Sequence, residues 1–271
     1  MDGTLDEIEF LVASGHRVAV LETLQEQPRT RRELRGITGA SSPTLSRILA
    51  DFENRHWVER DGEKYDLSEL GVFVTHRLDE FIASMRTECG LREIWPWLPH
   101  DLDGFGVDLF TDVHVTVPSP GYPDKPTERR LALIAEASTW RGFGMAMLGL
   151  RTLEASFERF RDGSDPLTCE YIYPKDVFEE LLSWNAETIL DVASGEQYTV
   201  HIHDTLPIDD RFEICMFDDL VTICCYDSET GALRAVVETT SQNMLAWAEG
   251  YFERLRAEAT PLRDVYGDLS S

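Results

Sequence analysis

Leu45, Ile48, Leu49 and Phe52 recur at helical spacing and mark one apolar face of a helix running from Ser42 to Phe52. Thr44, Ser46 and Arg47 fall on its outward side. Pro43 suits its first turn, where no amide hydrogen is needed, and Ser42 is the expected cap. Upstream, Thr30-Arg31-Arg32-Glu33 has the form of a capping box and starts a short helix ending near Ile37. Thr38, Gly39, Ala40 and Ser41 make a tight turn between the two helices, a spacing that fits helix-turn-helix geometry. Downstream, Trp57–Arg60 and Lys64–Leu67 read as two strands bracketing Asp61-Gly62, a strong hairpin signal. A helix pair followed by such a hairpin is a winged helix. From Leu70 to about Leu91 a long amphipathic helix follows, with Leu70, Phe73, Val74, Leu78, Phe81, Ile82 and Met85 spaced mostly by three and four. That stripe fits pairing with a second copy of the chain, and equally packing on a second domain.

The prolines of Trp95-Pro96-Trp97-Leu98-Pro99 interrupt helix, because each disfavours helix in the residue before it. Beyond them strand and helix patterns alternate. Strands are expected at 112–117, 168–173, 198–203, 212–217, 221–226 and 233–238. Helices are expected at 127–137, 150–161, 175–182 and 186–193, with a terminal amphipathic helix through Met244 and Leu255. Strands separated by helices early and joined by hairpins late imply a mixed sheet covered by helices. The expected fold class is α/β (α+β): an N-terminal winged helix-turn-helix domain followed by a mixed-sheet α/β effector or dimerisation domain. The expected boundaries are 1–92 for the winged helix and its long following helix, 93–110 for a linker, and 111–271 for the second domain.

Charge changes this picture. The chain has 25 Lys/Arg against 50 Asp/Glu, a net of −25, and its lysines are Lys64, Lys125 and Lys175 alone. Self-repulsion of that size is tolerated where concentrated salt screens it, which suggests a salt-loving cytoplasm. With 42% hydrophobic residues, six Trp, 13 Phe and eight Tyr, the chain is too apolar for a disordered acidic protein. Residues 29–64 run against the trend, with eight basic and six acidic residues, while the remainder carries −27. No apolar run approaches the roughly 20 residues that span a bilayer, and the acidic start is unlike a signal peptide. A cytoplasmic location without membrane contact is expected. Five cysteines without a C-x-x-C pair indicate neither a disulfide framework nor a zinc ribbon.

A helix face of short hydroxyls and one arginine, in a locally basic winged helix, is suited to a DNA major groove. Double-stranded DNA is the expected partner, read by a homodimer. Arg47 is expected to read bases, with Ser41, Ser42, Thr44 and Ser46 at bases or phosphates and Arg31, Arg32, Arg60 and Lys64 on the backbone. A protein-interaction adaptor built on a winged helix is the alternative, and a metal- or redox-sensing repressor is a narrower variant.

The chain resembles archaeal winged-helix transcription regulators, particularly haloarchaeal relatives of the TrmB-like sugar-responsive regulators and of the methanogen filamentation regulators. The stretches that carry the resemblance are Leu21–Leu24, Thr44–Leu49, Trp57–Arg60, Pro118–Pro123, Asp218–Leu220 and Trp247–Phe252. The resemblance implies an effector-sensing or dimerising second domain whose ligand differs among members. The family's effector domain looks distantly similar to phospholipase-D-like folds, whose chemistry needs His-x-Lys; this chain has His201-Ile202-His203 and no nucleotide-binding or nucleophile-elbow motif. An enzyme is therefore not expected, and no cofactor or metal is called for. Tyr122, Arg141, His201 and His203 are the candidate effector-binding residues, near the Pro120–Tyr122 loop and the Trp140–Gly144 segment. His201 and His203 share one strand face and, with His114 or Asp204, have metal-ligand chemistry; a polar, partly solvated face is the plainer reading. Cys215 and one of Cys224 and Cys225 lie on adjoining hairpin strands, where either a redox pair or inert buried thiols fits.

Overall fold

The computed structural model describes residues 2–144, 150–161, 167–206, 212–227 and 229–267, and the chain divides into two units, Met1–Ser84 and Met85–Ser271. The first begins with α1 (Asp2–Val12), α2 (Gly15–Glu26), β1 (Arg29–Thr30), α3 (Arg31–Thr38) and α4 (Ser42–Asn54). β2 (Val58–Asp61) and β3 (Lys64–Leu67) form the wing, and α5 (Glu69–Leu91) follows. The three strands pair antiparallel in the order β1-β3-β2. All four stripe residues of α4 are buried, against Leu21 and Leu24 of α2, Leu34 of α3 and Trp57. α1 closes this core with Phe10, which meets the rings of Phe52 and Trp57 at 6.2 and 6.1 Å. Arg55 lies 3.7 Å from the Phe10 centroid and holds Glu7 at 2.6 Å, fastening α1 to the end of α4.

The wing is one residue out of the expected register. Asp61 pairs with Lys64, so the two-residue turn is Gly62-Glu63, with Gly62 at φ +60°. α5 leaves the wing at close quarters. Ser68 N–H donates to the Trp57 carbonyl, and a methyl group on Gly71 would come within 1.9 Å of that same oxygen. Glycine is required there by the approach of two backbones.

In the second unit the stretch 93–110, expected to be a linker, is instead packed: Ile94, Leu98, Leu102 and Phe110 are buried in the core. The helix ends at Leu91, before Pro96 and Pro99, and Ile94, Leu98 and Leu102, at intervals of four, fold back onto the core. There follow β4 (His114–Thr116), α6 (Lys125–Glu136), β5 (Thr139–Gly144), α7 (Leu150–Arg161), β6 (Thr168–Pro174) and α8 (Lys175–Ser194). β7 (Tyr198–His203), β8 (Phe212–Phe217), β9 (Leu220–Tyr226), β10 (Leu233–Thr239), α9 (Gln242–Glu258), β11 (Thr260–Pro261) and α10 (Leu262–Tyr266) complete it. One eight-stranded sheet runs β11-β7-β6-β5-β8-β9-β10-β4, with β5, β6 and β7 parallel and the other pairings antiparallel. One face packs Trp140, Tyr171, Tyr173 and Val236 against α6, α7 and α8. The other packs Phe143, Ile172, Ile214 and Ile223 against α9 and the 93–110 segment. The architecture is the expected winged helix followed by a mixed-sheet α/β domain.

One further expectation needs correction. Trp140–Gly144, expected to border a pocket at strand ends, is the central strand β5. Its glycines disguise it, and they are needed: a Cβ on Gly142 would sit 2.8 Å from Cys215 Sγ, and one on Gly144 would sit 2.6 Å from the Phe212 carbonyl. The two helices expected at 175–182 and 186–193 are both present, as the halves of α8, separated by a kink at Asn185, whose φ of −161° is non-helical. Asn185 Oδ1 accepts from Thr188 N–H at 3.1 Å, so the second half carries its own cap.

Candidate nucleic-acid interface

α3 starts on the capping box read in the sequence. Thr30 Oγ1 accepts from Glu33 N–H at 3.3 Å, and Glu33 Oε2 accepts from Thr30 N–H at 2.7 Å. The Thr30 bonds, backbone first, hold the Glu33 carboxyl below the usual range. Gly39 ends the helix at φ +66°, with its N–H donating to the Arg35 carbonyl. The cap of α4 is Ser41 rather than Ser42, because Ser41 Oγ accepts from Thr44 N–H at 3.3 Å. Pro43 accordingly occupies the second helical position. One residue of shift costs nothing, since the second amide is also without a helical partner.

The outward face of α4 then presents Ser42, Pro43, Arg47 and Ala50 exposed, with Thr44 and Ser46 half-buried. Thr44 Oγ1 shares a hydrogen bond with Ser41 Oγ at 2.8 Å, and Ser46 Oγ donates to the Ser42 carbonyl at 2.8 Å. Ser46 thus keeps its acceptor pairs for an outside donor while its proton serves its own helix. Arg47 is exposed and makes no ion pair among the described residues.

Ion pairing sorts the cations of the first unit. Arg17, Arg29, Arg55 and Arg77 each lie within 4.0 Å of a carboxylate. Arg31, Arg32, Arg35, Arg47, Arg60 and Lys64 have no carboxylate oxygen within 4.0 Å among the described residues, and all six lie on α3, α4 or the wing. In a chain with two carboxylates per cation, six such cations on neighbouring elements stand out against the prevailing charge. Arg31, Arg32 and Arg60 are gathered further, into a cleft of about 490 Å³ that Thr30, Glu63 and Tyr65 also line. Arg35 and Tyr65 belong to this face and were not singled out from the sequence. The uneven charge of residues 29–64 pointed at Arg35, whereas nothing in the strand pattern marked Tyr65.

The candidate effector residues are only partly brought together. Arg141 on β5 and His201 on β7 both reach Glu170 on the intervening β6, at 3.5 and 3.0 Å. Glu170 also meets Arg256 of α9 at 3.4 Å, and Arg141 bonds Glu253. His201, then Arg256, hold the Glu170 carboxyl below its usual range against the effect of burial. His203 lies two residues on, 3.6 Å from Glu258 and nearly buried. Tyr122 is apart from this cluster: it precedes α6, whose Glu128 its hydroxyl bonds, on the opposite side of the sheet. His114 is on β4 at the far edge, six strands from β7, so it joins no metal set with His201 and His203. Among the described residues no group of three or more His, Cys, Asp or Glu has metal-binding geometry.

Four of the five cysteines are buried. Cys215 and Cys224 flank the ion pair of Arg130 and Glu213, whose charged atoms are 2.5 Å apart in the core. Cys215 Sγ donates to Glu213 Oε1 at 3.1 Å, and Arg130 donates to Cys224 Sγ at 3.0 Å. Burial, followed by the Glu213 charge, pushes the Cys215 thiol well up. Burial pushes the Cys224 thiol up to about 12. Buried thiols held protonated in this way have the setting of unreactive ones.

Two protein families match the sequence. The family described as the HVO_A0261 N-terminal domain matches residues 5–89, across the winged helix. The family described as the methanogenesis regulatory protein FilR1, middle domain, matches residues 123–258, half of the chain. The chain belongs to the FilR1 family. The FilR1 match spans α6 to α9 and so takes in Arg141, Glu170, His201 and Arg256. The resemblance to methanogen regulators drawn from the sequence is thereby confirmed. Among solved structures, similarity is remote. TrmBL2, described as an archaeal chromatin protein with a novel mode of DNA binding, is 13% identical, with 92% of this chain and 94% of that one covered and a TM-score of 0.42. Nuc of Salmonella typhimurium, a phospholipase D family member, is 13% identical over 55% and 98% of the two chains, with a TM-score of 0.42. NucT from Helicobacter pylori is 10% identical over 56% and 99%, also at 0.42. No curated protein matches. No described helix is long and apolar enough to cross a membrane.

Proposed function

We propose that this FilR1-family chain is a sequence-specific, DNA-binding regulator of transcription in a halophilic archaeal cytoplasm, acting as a homodimer and modulated by a small molecule. The observation that carries the reading is the confinement of the first unit's six unpaired cations to α3, α4 and the wing. α4 is the reading helix, with Arg47 at base edges and Ser42, Thr44 and Ser46 beside it. Arg31, Arg32, Arg60 and Lys64 hold the phosphate backbone, and Ser41 serves chiefly to start α4. Counterion release contributes little at molar salt, so affinity rests on hydrogen bonds, apolar base contacts and dimerisation rather than on bulk charge. The effector reading places a polar ligand among Arg141, His201 and His203, where it would compete with Glu170 and Glu253 for the same donors. Tyr122 is left out of it.

Genome-wide cross-linked DNA recovery, comparing wild type with Arg47→Ala, tests the function. Discrete peaks sharing a motif are expected for the wild type. For the variant, loss of about 1–3 kcal/mol of discrimination between that motif and other DNA is expected. Equal weakening on every sequence removes Arg47 from the reading role, and an absence of wild-type peaks leaves the winged helix to a protein partner.

A further inference from the structure

The cleft at the start of α3 has more structure than a basic surface requires. Its floor is Tyr65, a residue only 3% exposed whose ring belongs to the winged-helix core. The Tyr65 hydroxyl accepts from Arg31 Nη2 at 3.2 Å, and its own proton has no acceptor among the described residues. Arg60 lies over the same ring, 5.6 Å from its centroid, and spends only its Nε–H on the Gly62 carbonyl at 2.9 Å. Its terminal donors remain open. Arg32 lines the cleft beside them. Glu33, the carboxylate nearest in sequence, is committed to the cap, which leaves Glu63 at the rim as the one acidic side chain lining the cleft. Strand pairing fixes the two walls, with Arg29 opposite Tyr65 and Thr30 opposite Lys64.

Guanidinium groups arriving from two elements over a shared phenol suit a compact anion with several oxygens. We propose that this cleft is the seat of one backbone phosphodiester of bound duplex DNA, and that Tyr65 is its positioning residue. The phenol holds Arg31 from the α3 side and Arg60 from the wing side, and donates its free proton to a phosphate oxygen. The seat would fix the register of the protein on the duplex, whichever bases Arg47 reads. This inference rests on the DNA reading above.

Tyr65→Phe separates the hydroxyl from the ring, since the ring packing that the fold uses is kept. The full-length protein is used to select duplexes from a random-sequence library at a fixed high salt concentration. Affinity, salt slope and phosphate-ethylation interference are then compared for wild type, Tyr65→Phe and Arg31→Gln. Tyr65→Phe is expected to bind about tenfold more weakly on selected and unselected duplexes alike, with discrimination between them unchanged. A phosphate position whose ethylation blocks the wild type is expected to lose its effect in both variants, and Arg31→Gln is expected to lower the salt slope by about one. Wild-type binding with an unchanged affinity and ethylation pattern in Tyr65→Phe overturns the seat alone. A wild-type chain that retains no duplex overturns the DNA reading and the seat with it.

Discussion

Arg130 and Glu213 meet where neither can be hydrated, and each depends on the other to remain charged there. Burial is the largest single influence and opposes the Arg130 charge, but Glu213, then Cys224, Tyr226 and Cys215, together outweigh burial and hold the guanidinium pKa above its usual value. Tyr226 adds a hydrogen bond to Glu213 Oε2 at 3.1 Å, so the carboxylate is satisfied from three sides with Cys215. Removing one partner of such a pair leaves a bare buried charge. Glu213→Gln is expected to lower unfolding stability by about 3–5 kcal/mol in urea titrations at constant salt, whereas an apolar replacement of both residues recovers most of the loss. A single variant with wild-type stability would show that water reaches the pair. None of this was legible beforehand: Phe212–Phe217 reads as an apolar strand, and its one charge finds its partner 83 residues away. Local chemistry was easier to read. The Thr30–Glu33 box and the α4 stripe depend on residues three and four apart, and the structure bears both out.

At the scale of the element, α5 has more apolar surface than its own unit uses. The sequence shows one stripe, and packing divides it into two. Val74, Leu78 and Ile82 turn inward, while Leu70, Phe73 and Phe81 remain 49%, 59% and 53% exposed. α1 adds Leu5, Ile8 and Val12, exposed at spacings of three and four. Contiguous apolar faces of this kind mark association surfaces. Phe73→Glu combined with Phe81→Glu is expected to shift the proposed dimer to monomer in sedimentation-velocity runs and to weaken DNA binding without changing which sequence is preferred. A wild-type monomer would place dimerisation elsewhere or nowhere. Strands were harder to read than helices. β5 hides behind Arg141 and two glycines that packing demands, and β1 and β11 are two-residue pieces defined by the strand beside them. The sheet order, with its parallel trio of β5, β6 and β7, depends on pairings between distant segments that no local pattern encodes.

For the whole molecule, a net charge of −25 is the dominant fact. Screening length grows from about 3 Å in 1 M salt to about 10 Å in 0.1 M, so carboxylates that ignore each other in brine repel in dilute buffer. The melting temperature is expected to fall steadily as potassium chloride is reduced from molar to about 0.1 M, measured by circular dichroism, with magnesium restoring part of the loss. A flat response would show that these charges are spaced beyond each other's reach. Composition alone made that expectation available, because it depends on totals rather than on neighbours. The contact at Gly71 does not, and its effect reaches beyond its size. The opening turn of α5 lies against the Trp57 carbonyl with no space for a methyl group, and Ser68 is bonded to the same strand end. The wing therefore has no slack at its root. The first turn of α5 cannot rotate or slide on its own: any shift of Ser68 or Gly71 has to carry the Trp57 end of the hairpin with it.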